Sequence, residues 1–154
     1  MSTAEAGTAA KAGCLLCEKA RGNEDDQNFV LLRGTHVYAF LYALPYNTGH
    51  TLIAPYAHTE DLPALDAATS TEMMTLAQRI VAVLRDTYRP DAFNAGMNLG
   101  IPTGAALVEH LHMHVVPRWS GDTNFMPVLA GTKVLPETLE QTYARLKRVL
   151  SPES

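Results

Sequence analysis

The sequence predicts an α+β fold with an antiparallel sheet of about five strands, one long helix and a C-terminal helix. Strand-like apolar runs outnumber helical stretches. The first of these runs are joined by short connections, which suit antiparallel neighbours. Helical periodicity is strong in one long central stretch and again at the C-terminal end.

Taken in order, "MSTAEAGTAAKAG" is rich in Ala, Gly, Ser and Thr and has no apolar core, so residues 1–13 read as a mobile tail rather than a secretion signal. Residues 14–150 then form a single domain. "GCLLCEKARG" reads as a knuckle running into a short helix. "NFVLLRG", "HVYAFLYA" and "HTLIAPY" are apolar runs of strand length. Gly34-Thr35 breaks the first from the second as a hairpin turn, and "LPYNTGH" breaks the second from the third as a longer loop. In "ATSTEMMTLAQRIVAVLRDTYRP", Met73, Leu76, Ile80, Leu84 and Tyr88 follow helical spacing. Thr69 with Glu72 fits a capping box, and Pro90 lies just past the end. "AFNAGMNLG" reads as a strand, "IPTGAAL" as a loop and "EHLHMHVVPR" as a further strand. The final "ETLEQTYARLKRVL" is an amphipathic helix with Leu139, Tyr143, Leu146 and Leu150 on one face.

Composition narrows the function. The 154 residues are 47% hydrophobic and 18% charged, as in a soluble globular domain. No apolar run approaches the ~20 residues that span a bilayer, so no membrane partner is expected and the cytoplasm is the default compartment. A formal net charge of -4 argues against a broad nucleic-acid-binding face, so any anionic ligand must meet local counter-charge. The only cysteines, Cys14 and Cys17, are too few for a disulfide scaffold. Their spacing suits a redox pair or half of a tetrahedral zinc site.

The most informative stretch is "VEHLHMHVVPRW". His110, His112 and His114 are three of the chain's six histidines and occupy alternate positions. On a strand they share one face, with neighbouring Cα atoms ~6.6 Å apart, while Leu111, Met113 and Val115 share the other. The apolar set fixes the register. A row of imidazoles pointing to solvent can be a polar surface, a metal site, or a site of nucleophilic catalysis in which one ring attacks and the others position charge.

The run "HLHMHVV" followed by Pro117-Arg118 resembles the signature of the histidine-triad family of nucleotide hydrolases and transferases. "PYNTGHTLIAPYAH" and "NLG" resemble two further blocks of that family, so the resemblance covers the chain from about Cys14 to Trp119. It implies a HIT-like fold and cleavage at the α-phosphate of a dinucleoside polyphosphate such as diadenosine tetraphosphate. His112 would be the nucleophile that carries a covalent nucleotidyl group, released by water or by inorganic phosphate. A backbone carbonyl would fix the tautomer of His112, with the "GAAL" loop as the candidate source. His114 would donate to a phosphate oxygen and His50 would support the triad. Backbone N–H groups of Gly104, Ala105 and Ala106 would cradle the phosphate. Many members carry Gly-Gln-Ser or Gly-Gly-Ser there, so Ala106 lacks a side chain to touch the phosphates and leaves phosphorolysis or hydrolysis open.

In the family branch that carries a Cys-x-x-Cys, Cys14, Cys17, His58 and His110 would hold a structural zinc. His36 takes no role. Asn47 and Asn98 are implied to bind sugar or phosphate and Arg118 to bind phosphate. Trp119 would stack on the second base, as "PRW" with the following Gly-Asp-x-Asn-Phe resembles bacterial diadenosine tetraphosphate phosphorylases, or else serve as a buried packing residue. Phe40, Leu41 and Leu44 line a purine pocket or simply belong to the core. A homodimer is implied as well. The alternatives are a nucleoside phosphoramidase or adenylyl hydrolase on the same fold, and a non-catalytic nucleotide-binding protein.

Overall fold

Strand β2 (Val37–Leu41) is buried at every position, so the sheet is covered on both faces. Its odd residues Val37, Ala39 and Leu41 join one core, and its even residues Tyr38 and Phe40 join another. In a computed structural model, which describes residues 10–100, 110–122 and 136–150, β2 is second in a five-stranded antiparallel sheet. With β1 (Val30–Arg33), β3 (Thr51–Pro55), β4 (Ala92–Gly96) and β5 (Met113–Arg118), the order is β1-β2-β3-β5-β4.

The first core packs Ile53, Met113 and Val115 against α3 (Ala67–Tyr88) and α4 (Leu139–Leu150). Met73, Leu76, Ile80 and Leu84 supply the buried stripe of α3, and Tyr143, Leu146 and Leu150 that of α4, at the spacing expected from sequence. The second core packs Leu16 of α1 (Leu15–Arg21) onto Val30, Tyr38, Phe40, Leu52 and Ala54. A one-turn helix α2 (Asp25–Asn28) and a 3-10 turn (Leu62–Ala64) complete the described elements. Among the described residues no helix is long and apolar enough to cross a membrane.

The start of α3 differs from the capping box. Asp66 is the N-cap, and its side chain accepts from the Thr69 N–H at 2.7 Å. Glu72 turns instead to the β1–β2 hairpin, where its carboxylate accepts the N–H groups of Thr35, His36 and Val37. Three donors in a tight turn outbid one helix-end N–H.

Strand β5 also starts later than its alternation suggests, at Met113 rather than before His110. Ile53 pairs with Met113, and the next rung would set Pro55 opposite Leu111. Proline has no N–H to give, so the ladder stops. Leu111 N–H donates to Thr59 O instead, at 2.7 Å. The histidine face is not open to solvent either. His110 is 2% and His112 5% exposed, and α1 and the chain after β3, with Cys14, Cys17 and His58, pack against His110.

Candidate functional site

The interrupted ladder frees polar groups that the histidines use. The Pro55 carbonyl accepts from Nε2–H of His110 at 2.8 Å. That bond fixes the His110 tautomer and leaves the Nδ1 lone pair for another partner. Nδ1 lies 3.4 Å from Cys14 Sγ and 3.5 Å from Cys17 Sγ, and His58 Nδ1 lies 3.3 Å from Cys17 Sγ. All four donor atoms fall within 4.8 Å of one another. A tetrahedral zinc with Zn–S near ~2.3 Å and Zn–N near ~2.0 Å sets sulfur and nitrogen ~3.5 Å apart. The donor set and its spacing therefore fit zinc. Cys14 is the N-cap of α1 and Cys17 lies one turn in, so the short helix carries both thiols to the histidines.

Two residues on, the choice of nitrogen reverses. Nδ1–H of His112 donates to the carbonyl of His110 at 2.7 Å, so the Nε2 lone pair of His112 is left free. This carbonyl, not one in the "GAAL" loop, sets the tautomer. His50 stands at the mouth of β3, where the Tyr46 N–H donates to its Nδ1 at 3.0 Å. With Nδ1 accepting, the proton of His50 sits on Nε2, which donates to His114 Nδ1 at 2.8 Å. The remaining nitrogen of His114, Nε2, then carries a proton. The rings of His112 and His114 are 5.0 Å apart between centroids. One imidazole thus offers a lone pair beside another that offers an N–H.

The same burial keeps these rings uncharged. His50 is pushed down to about 3 by burial first and then by His114 and His112. His114 is pushed down to about 4 by burial and by His112. His112 is lowered by burial, against an opposing pull from the His110 carbonyl. His114 opens onto a cavity of about 660 Å³ lined in part by Pro45, Met97 and Val116 and by Asn47, Asn98 and Arg118.

Residues 23–121 match the HIT domain family. The chain belongs to that family. It is 43% identical over 129 residues to the AP-4-A phosphorylase of Mycobacterium tuberculosis, covering 84% of this chain and 64% of that protein. A structure described as a Zn-bound histidine triad family protein from Mycobacterium smegmatis superposes with a TM-score of 0.72 at 26% identity, covering 90% of this chain and 94% of that one. A HIT family member from Bacillus subtilis superposes with a TM-score of 0.64 at 28% identity, over 71% of this chain and 75% of that one. The HIT match begins after Cys14 and Cys17, so both thiols lie outside the matched segment.

In the structure, His50, His112 and His114 gather in one cluster and Cys14, Cys17, His58 and His110 in a second. Asn47, Asn98 and Arg118 line the cavity, whereas half-buried Trp119 is not among its lining residues. Gly104, Ala105 and Ala106 lie outside the described residues. Phe40 and Leu41 are core residues, and Leu44 is 69% exposed; none of the three is among the described residues that line the cavity. His36 is exposed and joins neither cluster. Sequence reasoning missed Asp122 and Asn94. Both bind the Arg118 guanidinium: Asp122 at 2.7 and 3.0 Å through Nε and Nη2, Asn94 at 2.6 Å through Nη1. The available signal was an Arg and an Asp four residues apart across a Ser-Gly turn.

Proposed function

We propose that this chain cleaves dinucleoside polyphosphates at an α-phosphate through a covalent nucleotidyl–His112 intermediate. The free Nε2 lone pair of His112, created by the 2.7 Å bond from its Nδ1–H to the His110 carbonyl, carries the reading. Nε2 attacks the α-phosphorus, and the P–O bond to the bridging oxygen breaks. The bonding pair leaves on that oxygen as a nucleoside polyphosphate. The phosphorylated ring is then a cation with its proton still on Nδ1, and the His110 carbonyl stabilises that charge. His114 donates from Nε2 to a phosphate oxygen, and His50 holds that donor in line. Phosphate or water next attacks phosphorus, displaces Nε2 and restores neutral His112.

The 43% identity to a protein described as an AP-4-A phosphorylase supports phosphorolysis over hydrolysis. The cavity beside His114 would take the nucleoside, with Asn98 toward sugar or phosphate and Asn47 left only its carbonyl oxygen for a sugar hydroxyl, its amide N–H groups being held by Pro117 and Asp122. Cys14, Cys17, His58 and His110 would hold a structural zinc with no open position, which would supply rigidity and no reactive site. The exposed edge strand β4 supports a homodimer, which would cover that edge. A single domain over residues 14–150, acting in the cytoplasm, completes the proposal.

The test incubates the protein with diadenosine tetraphosphate, with and without inorganic phosphate, and analyses the protein by mass spectrometry. ADP formed only with phosphate, together with a trapped AMP adduct on His112, is the expected result. AMP plus ATP without phosphate would assign hydrolysis instead. Turnover of an adenosine phosphoramidate alone would move the step to P–N bonds. Nucleotide binding with no product and no adduct would reduce the chain to a binding protein.

A further inference from the structure

Asp122 ends the described part of the β5 segment, outside both histidine clusters. It nonetheless accepts four hydrogen bonds and lines the cavity. Its Oδ2 accepts from Arg118 Nε at 2.7 Å, from Asn47 Nδ2 at 2.8 Å and from the Trp119 N–H at 3.2 Å. Its Oδ1 accepts from Arg118 Nη2 at 3.0 Å. The side chain of Asp122 is 11% exposed. The Asn47 amide also donates to the Pro117 carbonyl at 2.9 Å, so the loop before β3 is fastened to the end of β5 at two points.

That loop carries the relay. The Asn47 carbonyl accepts from the His50 N–H at 3.1 Å and closes the turn. Gly49 sits within it at φ +88°, and a Cβ there would meet Leu84 at 2.8 Å and Pro117 at 3.3 Å, so only glycine lets the turn lie this close. The turn brings the Tyr46 N–H onto His50 Nδ1. His50 can therefore present Nε2–H to His114 only while the loop keeps its place against β5.

We infer that Asp122 is a positioning residue for the proposed reaction: through Asn47 it clamps the 45–50 loop to β5 and so sets the tautomer of His50 and the donor nitrogen of His114. The inference rests on the reading of His114 as the phosphate donor. It also gives Arg118 a different place. Held by Asp122 and Asn94, the guanidinium braces the clamp. A freed Arg118 would bind phosphate, and loss of Asp122 would then tighten phosphate binding rather than slow the chemistry.

The experiment compares the full-length wild-type chain with Asp122→Ala and Asp122→Asn. Circular dichroism establishes that each is folded. Long-range ¹⁵N–¹H spectra of the histidine rings report tautomers with no substrate present, and steady-state assays with diadenosine tetraphosphate and phosphate report kcat and KM separately. A small displacement of a positioned group costs about ten- to a hundredfold in rate. The expected result is that loss in kcat for Asp122→Ala, KM within about twofold, and a wild-type His50 Nε2–H pattern that becomes mixed. Asp122→Asn keeps an acceptor for Asn47 and recovers part of both. Unchanged His50 signals, or a change confined to KM for phosphate, overturns the inference. If no dinucleotide is turned over by the wild type, the proposed reaction falls, and the His50 spectra still decide whether Asp122 sets that tautomer.

Discussion

In the cysteine cluster the backbone takes Nε2 of His110 and leaves Nδ1; in the relay it takes Nδ1 of His112 and leaves Nε2. The two rings are two residues apart, yet they present opposite nitrogens to opposite tasks. Around His110 four lone-pair atoms converge within 4.8 Å, an arrangement that repels itself unless a cation or protons lie between them. Around His50 and His114 donors and acceptors alternate, and beside them His112 gives its Nδ1–H to the His110 carbonyl. Residue type alone therefore says little about the role of a histidine. The carbonyl that accepts its proton decides it. His110 belongs to both regions, its ring to the first and its carbonyl to the second.

The largest effect should come from breaking the second region alone. His112→Ala removes the imidazole whose Nε2 lone pair is left free by the bond from Nδ1–H to the His110 carbonyl, and turnover of diadenosine tetraphosphate should fall by ~10⁴-fold or more. The cysteine cluster is untouched, so bound zinc and the melting temperature should stay close to wild type. Residual activity near the wild-type rate would sink the nucleophile assignment.

Breaking the first region alone should give the converse. Cys14→Ala, or removal of metal with a chelator, takes away the tie between α1 and the chain leading into β5. A loss of ~3–4 kcal/mol in a domain of this size lowers the melting temperature by roughly 10 °C. Below that new midpoint the carbonyl of His110 still accepts from His112, so a measurable rate should persist. A protein purified with less than one zinc, and indifferent to chelation, would reduce the cluster to thiol–imidazole hydrogen bonds.

How much of this contrast could be read from sequence follows the same division. The strands, the long helix and its buried stripe were legible, because apolar spacing at 2 and at 3.6 residues is a local property. The membership of both clusters was legible from the histidine-triad resemblance. Three other features depend on distant partners and left no local mark. Glu72 fits a capping box with Thr69, but the hairpin N–H groups 35 to 37 residues away claim it. Alternation carries the last strand back to His110, but Pro55 on the neighbouring strand halts it. Asp122 takes no role in the sequence until Asn47, 75 positions earlier, is found on it.

A smaller effect should follow from loosening the relay without removing the nucleophile. His50→Ala takes away the Nε2–H that holds His114, and the rate should drop by about a hundredfold, the scale of one misdirected donor to a developing phosphate charge. His50→Gln, which keeps a side-chain donor, should recover part of that rate. Equal loss in both variants would mean that the ring is needed for packing alone. Its contacts with Tyr42 and Tyr46, at 4.9 and 4.6 Å between centroids, make that the competing account.

The gentlest probe is acid. His50 and His114 are pushed down to about 3 and about 4 in the folded chain, against about 6.5 when unfolded, with burial the first cause in both. From pH 6.5 toward 4 the unfolded chain takes up protons that these rings refuse, so stability is complete above about pH 6.5 and declines as the pH falls. Screening by solvent at the half-open His114 and coupling between the two rings reduce the joint effect to about 2 kcal/mol. Release of a metal held by the cysteine cluster would also act in this range, so the useful quantity is a difference. Urea midpoints of wild type and of His50→Gln/His114→Gln, measured between pH 7 and 4.5, should converge on acidification. Asp122 behaves separately: its bonds to Arg118 first, and then to Asn47, hold its carboxyl far below the usual range, so its contribution is lost only at lower pH. Parallel curves down to pH 4.5 would show that the relay histidines accept protons in the folded state, and the assigned alternation of donors and acceptors would be wrong.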